Sequence, residues 1–116
     1  MIRPGSIVIV HLVNPTEKFW GILQELGVPG VSLRGINLST FDDWMAQAAR
    51  AGDQTLGLST MFVPLFRVER IFLDEAVGEV ESYRERFAKR VGIAVERYLR
   101  LESEGGEEEE SGEVPS

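Results

Sequence analysis

The segment Leu58–Glu75, LSTMFVPLFRVERIFLDE, is the densest block of β-favouring side chains in the chain. It divides into two apolar groups that are separated only by Pro-Leu-Phe-Arg at residues 64–67. The apolar side chains are Met61, Phe62 and Val63 before this corner, and Val68, Ile71, Phe72 and Leu73 after it. Two strands joined by so short a corner must bend sharply onto their neighbours, which is how small β-barrels close. The segment therefore predicts a strongly bent sheet.

Three earlier stretches also have the composition of strands, namely Ser6–Val13, Lys18–Leu26 and Val31–Leu38. The first is a continuous run of β-branched residues, which predicts a strand that is covered on both faces. The second and third each contain a glycine, Gly21 and Gly35. Glycine weakens a strand interior, so we expect a bulge or a tight bend at these positions. Short turns between the strands predict an antiparallel meander.

Two segments have helical periodicity. Thr40–Asp43 matches a capping box with Thr40 as the N-cap, and it predicts a helix over roughly residues 41–51 that stops near Gly52. Ser82–Glu85 is a second capping-box match that opens a C-terminal helix. The sequence leaves open whether Gly92 breaks that helix into two pieces.

The net charge of −7 is concentrated at the C-terminal end. From Glu102 onward there are seven acidic residues and no basic one, which leaves 12 of the 19 acids to balance the 12 Lys and Arg of residues 1–101. We expect one domain, residues 1–101, and an acidic disordered tail, residues 102–116. The neutral body disfavours nucleic-acid binding through a broad electrostatic footprint. The tail is expected to be a solubilising appendage, with competition for a basic surface as the alternative.

Cysteine is absent, which excludes disulfides, thiolate catalysis and cysteine-based metal sites. The apolar run at Ile7–Val10 is too short for a signal peptide or a membrane span. We therefore expect a cytoplasmic protein without membrane contact.

The titratable residues do not form a recognisable catalytic pattern. His11 is the only histidine and lies in an apolar strand, so we expect a partly buried side chain and no metal. Asp42 and Asp43 are expected to stabilise a helix N-terminus, and Asp74 and Glu75 to be solvated at a strand end. No nucleophile motif or phosphate-binding glycine loop is present. We expect no enzyme activity and no cofactor.

Large aromatic side chains exceed what a core of this size can enclose. They are Trp20, Trp44, Phe62, Phe66 and Phe72. Exposed aromatic side chains on a neutral body favour an interface, and an open strand edge would serve the same purpose. The predicted interaction residues are Trp44, Phe66, Arg67 and Arg70. The expected partner is a second copy of the chain or another protein.

The order of elements resembles that of the Sm-like small barrels within the wider SH3-like group. The residues that carry the resemblance are Phe19–Leu23 in the glycine-bearing second strand and Phe62–Ile71 around the corner. Together with the strands and helices predicted above, it indicates an α+β fold, mainly β: a small, strongly bent, five-stranded antiparallel SH3/Sm-like barrel, with a helix inserted between strands 3 and 4 and a C-terminal helix. The inserted helix departs from the Sm-like pattern, and the glycine of their final turn and their RNA-binding loops have no counterpart.

Two functions follow as hypotheses. The first is a non-enzymatic interaction or oligomerisation module. The alternative, which the resemblance implies, is an Sm-like RNA-binding protein in which Phe66 stacks on bases while Arg67 or Arg70 holds phosphates. The neutral body argues against the alternative.

Overall fold

The computed structural model describes residues 1–50 and 55–103. The fold is α+β, with five antiparallel strands in one sheet and helices on one side of it. The strands are β1 (Ile7–Leu12), β2 (Glu17–Leu26), β3 (Gly30–Asn37), β4 (Ser59–Pro64) and β5 (Val68–Leu73). The helices are α1 (Leu38–Ala48), α2 (Tyr83–Val91) and α3, the helical residues 95–103. Within these described ranges, no helix is long and apolar enough to cross a membrane.

The strands lie in the order β4-β3-β2-β1-β5. The predicted meander is confirmed for β1 to β4, and α1 is inserted between β3 and β4 as expected. The last strand instead returns to pair with β1. Accordingly, β4 and β5 are opposite edges of the sheet, and in the described part of the chain they are not hydrogen-bonded to each other. The predicted meander therefore does not extend from β4 to β5.

A single 3-10 turn, Leu65–Arg67, joins these two edge strands and is called the corner below. In a flat sheet, four strand spacings would separate the edges by roughly 19 Å. Three residues of 3-10 helix advance only about 6 Å. The sheet must therefore curve for one end of β4 to meet β5.

Both faces of the sheet are buried. The inner face is an aliphatic cluster made of Val8, Val10, Leu12, Leu23, Val31, Leu33 and Val63. Met61 from one edge strand and Ile71 from the other both pack against it, so the sheet wraps around this cluster. The outer face is covered by the helices in a second cluster that includes Trp20, Phe41, Trp44 and Phe87. Successive residues of β1 pack into alternate clusters, with Ile7 in the outer one and Val8 and Val10 in the inner one, which confirms that this strand is covered on both sides.

The two strand glycines lie opposite each other. Gly21 pairs with Gly35, and a Cβ added at Gly21 would lie 2.3 Å from the carbonyl oxygen of Arg34. A Cβ at Gly35 would lie 2.4 Å from the carbonyl oxygen of Trp20. Close backbone approach is the reason for glycine here, whereas the bulge between β2 and β3 lies further along β2, between Leu23 and Glu25.

Helix α1 begins earlier than predicted. Its N-cap is Asn37, whose side chain accepts a hydrogen bond from the Ser39 amide at 2.9 Å. An Asn at the end of a strand caps the amide two residues later, so Thr40–Asp43 lies inside the helix. Asp42 pairs with Arg86 of α2. The helix ends at Ala48, and the predicted stop at residue 52 lies outside the described residues.

The C-terminal helices follow their sequence signals closely. The capping box Ser82–Glu85 is present in full, and Gly92 ends α2 in the left-handed region at φ 95°. The helix is therefore broken at Gly92. Residues 102 and 103, predicted as tail, are helical. The remainder of the predicted disordered tail, residues 104–116, lies outside the described residues.

Asp74 was expected to be solvated and is instead buried, with 3% of its surface exposed. Its carboxylate accepts hydrogen bonds from the Trp20 indole at 2.9 Å, the Tyr83 amide at 2.8 Å and the Arg84 amide at 2.9 Å. The two amides belong to the first turn of α2, where a negative charge is stabilising. Asp74 thus attaches the C-terminal helices to the outer face of the sheet.

Candidate interaction surface

Trp44 was predicted to contact a partner, and its position corrects this prediction. It is fully buried, at 0% exposure. Its ring lies 5.1 Å from that of Phe87, 5.6 Å from that of Trp20 and 5.9 Å from that of Tyr98, measured between centroids. Helix α1 turns this side chain toward the sheet, and α2 and α3 then cover it. Trp44 belongs to the outer-face core.

The exposed apolar residues gather at the end of the sheet where β4 meets the corner. We call Val28, Phe62, Leu65 and Phe66 the edge surface. Phe66 is 83% exposed and Val28 is 89% exposed, which is unusual for side chains of this size. Phe66, which was predicted as an interaction residue, is thus open to solvent, and its contact with a partner stays a prediction.

Backbone contacts hold the parts of the edge surface together. The Leu65 amide donates to the carbonyl of Pro29 at 3.1 Å, so the corner lies against the turn between β2 and β3. Phe62 packs on Gly30, the first residue of β3 after this turn, where an added Cβ would lie 2.7 Å from the Phe62 ring. Val28 and Leu65 had not been singled out from the sequence. In the sequence, each is only an apolar side chain within a connecting segment. The contact between the turn and the corner depends on the tertiary structure and is not visible in the sequence.

Strand β4 is an unprotected edge. It pairs with β3 on one side, and its other side is free in the described part of the chain. Native edge strands usually carry charges, bulges or prolines that discourage strand addition. The segment Ser59–Pro64 contains no charged residue, and its proline stands only at the last position. Its free edge can therefore accept a further strand.

The opposite edge, β5, is charged. Arg70 is largely exposed and pairs loosely with Glu69 at 3.4 Å, while its guanidinium lies 5.9 Å from the centre of the Phe72 ring. His11 of β1 packs edge-on against Phe72 at 4.9 Å. Burial lowers the pKa of His11, and the neighbouring charge of Lys18 lowers it further. Across residues 1–50 and 55–103, no cluster of three potential metal ligands includes this histidine or any other side chain.

Arg67, which was predicted as an interaction residue, makes most of its hydrogen bonds within the fold. Its guanidinium donates to the carbonyl oxygens of Val13 at 2.9 Å and Pro15 at 2.7 Å. It also forms an ion pair with Glu17 at 2.8 Å. These bonds attach the turn after β1, which contains the cis Asn14–Pro15 bond, to the corner. Few of its donors remain for a ligand.

Comparison of the chain with family models, curated proteins and solved structures found no match. The geometry of the described residues therefore carries the functional proposals that follow.

Proposed function

We propose that the protein is a non-enzymatic oligomerisation module in which the free edge of β4 pairs with the free edge of β5 from a second copy. The observation that carries this proposal is the edge surface, with Phe66 83% exposed beside an uncharged edge strand whose outer side is free among the described residues. Antiparallel main-chain hydrogen bonds would supply affinity, and the exposed apolar side chains would supply specificity.

The topology favours a head-to-tail arrangement. Among the described residues, each copy offers two different free edges, β4 and β5, at opposite ends of the strand order. Pairing of β4 with the β5 strand of a second copy leaves the same two edges free at the ends of the pair. Such a heterologous contact repeats, and it closes into a ring when the rotation between copies allows it. The absence of charge on β4 means that Glu69 and Arg70 meet no like charge there.

The same features support a small barrel in each copy. The edge strands are joined by only three residues, and both contribute side chains to one inner cluster. Strong curvature with a filled interior is typical of small barrels, including the SH3/Sm-like type that the sequence resembles.

The apolar contribution can be bounded from exposure. Complete burial of Phe66 would remove on the order of 150 Å² from water, worth at most about 4 kcal/mol. Ordering the side chain and closing the interface consume part of this gain. About 2 kcal/mol remains for a central aromatic residue in an interface.

The test is the oligomeric state of the full chain, measured by sedimentation velocity at several concentrations. We expect assembly in the parent protein, and a loss of about 30-fold in association affinity for Phe66→Ser, which corresponds to 2 kcal/mol. Thr60→Lys places a charge on the β4 edge and should weaken assembly in the same way. Val80→Ser is the matched control, because Val80 is similarly exposed but lies in the connector before α2. A parent protein that stays monomeric, or a Phe66→Ser variant that assembles like Val80→Ser, would refute the proposal.

The RNA-binding alternative is supported by fewer residues. Phe66 is exposed enough to stack on a base, and Arg70 is exposed enough to contact a phosphate although it pairs with Glu69, but the Arg67 guanidinium is already engaged. A salt-dependent mobility shift with single-stranded RNA that is lost in Phe66→Ser and Arg70→Gln would favour this alternative.

A further inference from the structure

A second surface feature lies between the outer face of the sheet and the C-terminal helices. It is a cavity of about 350 Å³, open to solvent, and we call it the arginine groove. Its floor is apolar and consists of Ile7, Ile22 and Leu99. Its rim carries three guanidinium groups, from Arg34 of β3, Arg84 of α2 and Arg100 of α3.

The charges of the groove are only partly balanced. Arg84 pairs with Glu96, another residue of the rim, at 3.3 Å, and both side chains are about half exposed. Glu102 of α3 hydrogen-bonds with Tyr98, and Arg34 is close enough to act against the rise that burial causes in the pKa of that carboxyl. In the described part of the chain, neither Arg34 nor Arg100 forms an ion pair within 4.0 Å. The groove therefore has room for additional carboxylates.

We propose that the acidic segment of this chain, residues 104–116, binds back into the arginine groove. The segment holds six glutamates and no basic residue, and four of the glutamates are consecutive, Glu107–Glu110. Carboxylates are the groups that arginine binds best, through paired and charge-assisted hydrogen bonds. Charge complementarity thus identifies the occupant by its chemistry.

The chain path makes this contact available. Leu99 and Arg100 line the groove, and the description of α3 ends at residue 103, within one helical turn of them. The 13 residues that follow can span roughly 40 Å when extended, which is far more than the groove requires. Gly105 and Gly106 stand directly before the glutamates and permit the chain to reverse direction.

Attachment to the same chain favours this segment over an acidic partner. A tethered segment of this length acts at an effective concentration in the millimolar range. Because residues 1–101 have no net charge, the groove attracts a free polyanion only through its local field. Any external anion would also have to displace the tethered glutamates.

The absence of cysteine makes a direct test possible, because a spin label on Ser111→Cys is the only labelled site in the full chain. We expect the label to broaden the amide signals of Ile22, Arg34 and Leu99, and to leave those of Phe66 and Ile71 unchanged. The broadening should be lost in about 1 M NaCl, where the screening length falls to about 3 Å. It should also be lost when Glu107–Glu110 are all changed to Gln.

Groove variants supply the matched comparison. The double variant Arg34→Gln/Arg100→Gln should abolish the broadening, whereas Arg97→Gln should retain it, because Arg97 is an exposed arginine of the same helix that does not line the groove. Broadening that is absent from the parent, uniform over the surface, or unaffected by Arg34→Gln/Arg100→Gln would overturn the proposal. So would broadening that disappears on dilution, which would place the segment on a second copy. If oligouridylate shifts the groove signals in the parent as strongly as in the Glu107–Glu110 variant, the occupant is nucleic acid and the proposal is wrong.

Discussion

Truncation of Asp74 is the most informative perturbation of this fold. In Asp74→Ala, the Trp20 indole and the amides of Tyr83 and Arg84 lose their acceptor together. A buried donor without a partner costs about 1–3 kcal/mol, which applies in full to Trp20 because that side chain is completely buried. Loss of the acceptor at the helix N-terminus costs about 1 kcal/mol more. Removing a buried charge offsets part of this loss.

We therefore expect Asp74→Ala to lower the free energy of unfolding by about 3 kcal/mol, with an unchanged dependence on denaturant. For a domain of this size, the same loss lowers the melting temperature by about 15 °C. The measurement is urea unfolding followed by tryptophan fluorescence. Glu75→Ala is the matched control, since it removes an exposed neighbouring carboxylate and should change stability by less than about 0.5 kcal/mol. If the two variants unfold within 1 kcal/mol of each other, Asp74 does not attach α2 to the sheet in the way described.

Three further predictions concern the core. Gly21→Ala should lower the free energy of unfolding by about 3 kcal/mol or more in chemical denaturation, because the new Cβ meets the backbone at Arg34. Gly57→Ala is the control and should be nearly neutral, because the space around Gly57 is open. Equal stability of the two variants would contradict the close approach of β2 and β3. Trp44→Ala should lower the free energy of unfolding by about 3–5 kcal/mol and leave the sedimentation of the folded protein unchanged. A variant that stays stable but assembles more weakly would show that Trp44 contacts a second subunit. Burial and the neighbouring carboxylate of Glu102 raise the pKa of Tyr98 to about 12, which favours the neutral phenol in the folded state. The contribution of Tyr98 to folding stability is therefore fully present below the ordinary tyrosine pKa of about 10 and is lost as the pH rises toward 12. Ultraviolet titration should show one late-ionising phenol, and Tyr98→Phe should remove it. If Tyr98→Phe instead removes an early-ionising phenol, Tyr98 is accessible to solvent.

The sequence predicts the parts of the fold that depend on local chemistry. The strand spans, the corner and the capping box at Ser82–Glu85 follow from composition, periodicity and cap geometry within a few residues. The N-cap of α1 was misplaced because Asn37 and Thr40 offer competing local signals, and only the course of the chain after β3 decides between them.

Contacts between distant residues were beyond the reach of the sequence. Asp74 was expected to be solvated because its partner Trp20 lies 54 positions away in the chain. Trp44 shows the same limit, since the helical stripe predicted an apolar face but could not indicate that α2 and α3 cover it. For the candidate site, Phe66 was predicted as an interaction residue and is exposed, while the bonds that Arg67 makes between the corner and the turn after β1 were not foreseen.

The place of β1 in the sheet has a consequence for the time course of folding. This strand is made first, yet one of its two neighbours is β5, which begins about sixty residues later. Closing so long a loop carries a large entropic cost, and pairings of this kind slow the search for the native state. Until residue 73 is available, the backbone of the first strand lacks its β5 neighbour along one edge. A chain with this topology is therefore most exposed to misassociation while it is being synthesised, before its last strand can complete the sheet.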